Sequence, residues 1–128
     1  MKGVFLNLSN HPIAQWSEAQ RNGARALGFG EVADAVPPLP MVPPEMDEAG
    51  VVALADEAAS RAVAQGARAA FVAGEYTLVY ALVHKLCERG VRCFATTSAR
   101  DVVVTLDPTG ASVKQTVFRF VRWREYRG

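Results

Sequence analysis

The sequence predicts an α/β fold, a mostly parallel sheet flanked by helices and closed by a C-terminal antiparallel β-hairpin. Three observations carry this expectation. Short apolar runs at residues 3–8, 69–73 and 91–95 have the length and composition of buried strands. Between them Leu, Val and Ala recur at helical spacing, and strands alternating with helices imply a parallel sheet covered on both faces. Near the end, Asp107-Pro108-Thr109-Gly110 is a turn sequence between two runs of strand formers.

The first strand should span residues 3–8, because Pro12 forbids its continuation as a central strand. Ser17 and Gln20 have capping-box spacing, which starts a helix over 17–27 with Trp16, Ala19, Gly23, Ala24 and Leu27 on its apolar side. Gly28 and Gly30 end it, and residues 31–35 form a weaker second strand. Pro37, Pro38, Pro40, Pro43 and Pro44 exclude helix and central strand from residues 36–47. Leu39, Met41 and Val42 give that stretch something to bury, so an ordered, extended connection is expected. A proline-rich recognition peptide is the other use of such a composition.

A second helix over 48–65 carries Val51, Leu54, Ala55, Ala58 and Ala62 on one face. The third strand, 69–73, leads into a third helix over 76–89. Its Leu78, Val79, Leu82, Val83 and Leu86 make a wide apolar face, and Gly90 stops it. Strand four is expected over 91–95, and the two arms of the hairpin over 101–106 and 112–123.

A chain of 128 residues fits one domain, residues 1–128, with enough apolar content for a core without staples. The formal net charge of +1 provides no global field towards duplex nucleic acid or membrane. Cys87 and Cys93 are too few for a disulfide framework or a metal-ligand pattern and read as buried free thiols. The apolar start, Val4-Phe5-Leu6, is too short for a signal peptide or a membrane span, which points to the cytoplasm.

Three polar motifs each follow an expected strand: Asn7-Leu8-Ser9-Asn10-His11-Pro12, Gly74-Glu75-Tyr76-Thr77 and Thr96-Thr97-Ser98-Ala99-Arg100. In an open parallel sheet, ligands bind beyond the carboxyl ends of the strands, where the strand order reverses, and the three motifs would converge there. They are rich in hydroxyls, amides and backbone N–H groups and poor in carboxylates. That chemistry suits an anionic, phosphate-bearing ligand better than a metal ion. Neither a G-x-G-x-x-G nor a phosphate-loop signature occurs.

Within the first motif, Ser9 and Asn10 can line an anion site, and His11 can act as general acid or base or donate to a phosphate oxygen. A plain turn with His11 in water is the alternative. Gly74 permits close backbone approach, Glu75 can accept from a ribose hydroxyl or base amino group, and Tyr76 offers a stacking face. Glu75 as a capping carboxylate and Tyr76 as a packed ring is the competing reading. Thr96, Thr97 and Ser98 supply hydroxyls, and Arg100 a bidentate phosphate donor. His84, mid-helix, reads as a surface residue. In the terminal run, Phe118, Phe120, Arg122, Arg124 and Tyr126 would share one strand face and Arg119, Val121 and Trp123 the other. A dimer interface with some ligand contact, nucleic-acid binding and a charged edge strand are its three possible uses.

Read together, N-L-S-N-H-P, G-E-Y-T, T-T-S-A-R and the terminal F-R-F-V-R-W-R-E-Y resemble small, single-domain CRISPR-associated proteins. These are related to the CRISPR-associated Rossmann-fold (CARF) sensors of type III systems. The resemblance spans nearly the whole chain and implies a Rossmann-like domain that binds a cyclic oligoadenylate across the two-fold axis of a homodimer. It further implies an antiviral role: some such proteins are ring nucleases that switch the response off, and others only bind the messenger. Cleavage in such proteins needs no metal or cofactor, since a ribose 2′-OH attacks the adjacent phosphate and leaves a 2′,3′-cyclic phosphate. Carried onto this sequence, the ligand shell would be Ser9, Asn10, Gly74, Glu75, Tyr76, Thr77, Thr96, Thr97 and Ser98. His11 and Arg100 would carry the chemistry. A non-catalytic sensor or sponge, or a small enzyme acting on another nucleotide, are the alternatives.

Overall fold

The computed structural model describes residues 3–127. Its elements are β1 (Val4–Leu8), α1 (Glu18–Ala26), β2 (Glu31–Asp34), α2 (Glu48–Ala64), β3 (Ala67–Val72), α3 (Tyr76–Glu88), β4 (Arg92–Leu106) and β5 (Ser112–Glu125). A 3-10 turn, Ile13–Gln15, precedes α1. The sheet runs β2-β1-β3-β4-β5. Its first four strands are parallel and β5 is antiparallel to β4. The expected α/β architecture, mostly parallel with a closing antiparallel hairpin, is therefore present.

Local chemistry explains the helix starts. Ser17 Oγ accepts from Gln20 N at 3.1 Å and Asp47 Oδ1 from Gly50 N at 2.9 Å, each filling one of the donors that a first turn leaves open. The two faces of the sheet bury different residues. On one side the small Ala55, Ala59 and Ala62 of α2 and the Leu78, Leu82 and Leu86 of α3 pack on Leu6, Leu8 and Val72. On the other side α1 covers an aromatic cluster of Phe5, Trp16, Phe71, Phe94 and Trp123. Ring centroids from Trp123 lie 5.1 Å from Phe5, 5.0 Å from Phe71 and 5.3 Å from Trp16, within the range of favourable aromatic pairs. The indole N–H donates to Gln20 O at 3.2 Å. Ala19 of α1 is exposed, and the Gln20 beside it is buried.

The proline-rich connection is ordered by its surroundings. Gln65 brackets Val36, accepting from its N–H at 3.1 Å and donating to its carbonyl at 2.9 Å. Leu39 is buried with the α2–α3 layer, while Met41 is exposed.

The largest departure from the sequence reading is β4. A strand ending near residue 95, a loop and a separate hairpin arm were expected, but residues 92–106 form one continuous strand. Only Arg92, Cys93 and Phe94 pair with β3. Beyond them β4 leaves the sheet and pairs with β5 alone as far as Leu106 with Ser112, so the hairpin projects as a two-stranded arm. The β-branched Thr96 and Thr97 favour this extended course. Asp107 closes the arm: its Oδ1 accepts from Thr109 N, Thr109 Oγ1 and Ala111 N.

Opposite the Thr97–Ser98 step the register shifts, leaving Val121 without a partner. Such a bulge changes the alternation of side chains along its strand. Phe120 therefore joins Trp123 on the α1 side, with centroids 5.5 Å apart, instead of facing away from it as strict alternation requires. Trp123 is core and not part of an exposed interface. Cys93 is buried as expected, and burial holds its thiol well above the usual range; Cys87 is exposed.

Candidate functional site

The first strand ends in two buried polar residues, Asn7 and Ser9. Burying such groups is costly unless they are hydrogen-bonded, and both are. Asn7 Nδ2 donates to Asp34 Oδ1 and to the His11 carbonyl, each at 2.8 Å, and Asn7 Oδ1 accepts from Ser9 Oγ at 2.6 Å. Ser9 Oγ in turn accepts from His11 N at 3.2 Å, and Trp16 Nε1 donates to the His11 carbonyl at 2.9 Å. Asp34 Oδ1 takes a further bond from Ile13 N at 3.1 Å. The backbone of residues 9–13 is thus held from β1, β2 and the aromatic core. Among the described residues, the side chains of Asn10 and His11 take part in no hydrogen bond, and both are exposed.

Beside this loop lies a cleft of about 290 Å³ lined by Asn7, Ser9, Asn10, Pro12, Asp34 and Pro38. It sits beyond the carboxyl end of β1, from which the chain turns to β2 on one side and the sheet continues to β3 on the other. The strand order reverses between β1 and β3, whereas the cleft is lined from the ends of β1 and β2, one strand away from the switch point where open α/β sheets hold ligands. Asp34, at the end of β2, was absent from the residues singled out by sequence. A carboxylate closing a strand next to β1 is a signal that could have found it. Its presence changes the chemistry: the lining contains a carboxylate and no Lys or Arg, so it suits a hydroxyl-bearing moiety better than a phosphate.

The second motif is spent largely on α3. Glu75 accepts from Thr77 N at 3.0 Å, Leu78 N at 2.9 Å and Thr77 Oγ1 at 2.6 Å. Its hydrogen bonds to Thr77, side chain first, and to Leu78 hold the carboxyl below its usual range. Glu75 and Thr77 therefore form the helix cap and occupy its open N–H groups, as the competing reading had it. A Cβ on Gly74 would lie 3.0 Å from Leu39 Cδ2, so the close approach that this glycine permits is to the proline connection. Tyr76 is 91% exposed and remains available for stacking.

The third motif lies along the arm instead of in a loop. Thr97 Oγ1 donates to Arg122 O and accepts from Arg122 N, both at 3.2 Å, bridging the bulge. Thr96 stands opposite Trp123, and Ser98 opposite Phe120. Arg100, opposite Phe118, is five residues past the sheet's edge at Ala95, about 17 Å of extended chain. Within one chain, then, Ser9 and Asn10 line the cleft, His11 is exposed in the same loop without lining it, and Ser98 and Arg100 stand off on the arm. Among the described residues no group of three or more His, Cys, Asp and Glu side chains is placed to hold a metal ion. Nor is any helix long and apolar enough to cross a membrane.

No curated protein and no solved structure matches the chain. A family model described as the "Uncharacterized protein MJ1673 family" matches residues 3–124, nearly the whole chain, and the chain belongs to that family.

Proposed function

We propose that the protein binds a cyclic oligoadenylate at the carboxyl edge of its sheet, between two copies of the chain, and cleaves it without a metal. On this reading it is a CARF-like ring nuclease of type III CRISPR defence. The observation that carries the proposal is the pinned loop: three hydrogen bonds hold the His11 backbone, two more brace the Asn7 and Ser9 side chains that make two of those, and the Asn10 and His11 side chains are left exposed. Rigid support beneath unengaged polar groups is what binding and catalysis require. An Asn amide can meet the N6 and N7 edge of adenine in bidentate fashion, and Tyr76 offers a base a ring to stack on.

The arm supports the two-copy arrangement. Val102, Val104, Leu106 and Phe118 are 57%, 57%, 73% and 70% exposed, although a two-stranded ribbon alone is barely stable in water. The arm carries Arg100, Lys114, Arg122 and Arg124, besides an Arg119 paired with the arm's own Asp101, whereas the helix starts and the cleft carry Glu18, Asp34, Asp47, Glu48 and Glu75. An arm laid on a second copy's edge would cover its apolar residues and bring Arg100 to phosphates that the cleft itself cannot neutralise. In the reaction a ribose 2′-hydroxyl releases its proton to water as its oxygen bonds to the adjacent phosphorus and the P–O5′ bond breaks. His11 then gives a proton to the departing 5′-oxygen, and Arg100 steadies the charge on the phosphoryl oxygens.

The test is product analysis with His11→Ala. Wild-type protein in EDTA should convert one ring to linear fragments ending in 2′,3′-cyclic phosphate. His11→Ala should keep the ring bound but slow cleavage 10²-fold or more, roughly the contribution of one positioned acid. Retention of the ring by wild type with no products would make the protein a sensor or sponge. Undiminished cleavage by the variant would remove His11 from the chemistry.

A further inference from the structure

We infer that Asp34 is a ribose-recognition residue whose free oxygen accepts from the sugar hydroxyls of a nucleotide lying in the cleft. This rests on the nucleotide reading of that edge and names which part of the ligand the cleft itself holds. The two oxygens of Asp34 have different roles. Oδ1 is consumed by the protein, accepting from Asn7 Nδ2 at 2.8 Å and Ile13 N at 3.1 Å. Oδ2 has no hydrogen-bond or ion-pair partner among the described residues, and Asp34 lines the cleft wall. With one oxygen tied to the end of β1 and the other free, the carboxylate has a fixed direction. It is a preset acceptor that needs no reorganisation when a donor arrives.

The surroundings decide which donor fits. A phosphate would meet a carboxylate with no Lys or Arg in the lining to offset the repulsion. A metal ion would find one carboxylate and otherwise neutral amide and hydroxyl groups. A vicinal diol supplies two O–H donors without charge, and the free carboxylate oxygen, with its lone pairs, can accept from them. Asp34 stands at the end of the strand beside β1, paired in register with Asn7. A volume of about 290 Å³ accommodates a nucleoside-sized fragment rather than a whole ring. The cleft in each copy would then hold one ribose, with the phosphates lying outside it.

Asp34→Asn isolates the claim, because its Oδ1 can still accept from Asn7 and Ile13 while an NH2 donor replaces the free acceptor. The probes are adenosine 5′-monophosphate and its 2′,3′-dideoxy analogue, titrated by calorimetry. Wild type should prefer the ribonucleotide by about tenfold or more, the worth of a hydrogen bond to a charged group. Asp34→Asn should lose that preference while keeping its affinity for the dideoxy analogue and its unfolding temperature. Equal affinity of wild type for the two probes, or no binding of either at millimolar concentration, would overturn the inference without recourse to any variant. A preference that survives in Asp34→Asn would do the same. A wild type that distinguishes the probes yet holds no cyclic oligoadenylate would leave the ribose site standing and remove the ring reading.

Discussion

At the residue scale, Asn7 shows how an apolar strand can end in a pinned polar loop. It occupies a strand position where its neighbours Leu6 and Leu8 are core, yet its amide reaches both β2 and the backbone of the following loop. Replacing it by Ala would remove the close acceptor of Ser9 Oγ, at 2.6 Å, and free the His11 carbonyl from one of its two close donors. Asn7→Ala should lower stability by about 1–3 kcal/mol, the cost of unpaired buried polar groups, as measured by urea unfolding. It should also reduce ligand affinity more than Ser17→Ala, which removes a helix cap of comparable energy whose side chain bonds Gln20 N and not the loop. Equal losses of affinity would mean that the network serves only the fold. The sequence made Ser9, Asn10 and His11 visible because a polar run directly follows an apolar strand. It could not show that Ser9 is used internally or that Asp34, distant in sequence, completes the group, since both follow from strand pairing.

Among the elements, β5 shows why periodicity alone misplaces side chains. Trp123 and Phe118 are both large aromatics five residues apart on one strand, and nothing local distinguishes their fates. The bulge at Val121 and the departure of the hairpin from the sheet do so: Trp123 is 5% exposed and Phe118 is 70% exposed. Trp123→Ala should therefore cost about 3–5 kcal/mol. Phe118→Ala should change unfolding of the isolated chain by no more than about 0.5 kcal/mol. Denaturant titration at a concentration where the chain is monomeric separates the two. Helices α1, α2 and α3, the alternation of strands and helices along the chain and the closing turn were legible because caps, apolar faces and Asp-Pro-Thr-Gly are local signals. The continuity of β4 was not, because Thr-Thr-Ser reads equally well as a hydroxyl-bearing loop, and only its pairing with β5 settles the matter. The Arg92–Glu125 pair illustrates the same limit. Two bonds of 3.0 and 2.9 Å join residues 33 apart in sequence, raising the guanidinium and lowering the carboxyl relative to their ordinary values.

For the whole molecule, the parts have opposite needs. The body has a cleft with a carboxylate and no cation, and the arm has cations and apolar side chains with nothing over them. The arm's free length, nine pairs from Ser98 to Leu106, is about 30 Å, and its width of two strands about 10 Å. One face is then roughly 300 Å²; with each copy burying one face of its own arm and the patch beneath the other's, the interface would reach about 600 Å² per partner, the low end for a specific interface. A second copy placed by a two-fold axis satisfies both parts at once, since each arm would lie on the other's edge, and a ring of repeated nucleotides has a symmetry that such a site can match. The measurement that tests this most directly is native mass spectrometry of the full chain in EDTA with cyclic tri-, tetra- and hexa-adenylate. The expected result is a two-chain species holding one ring of a single size. A chain that stays monomeric and retains no ring would contradict it.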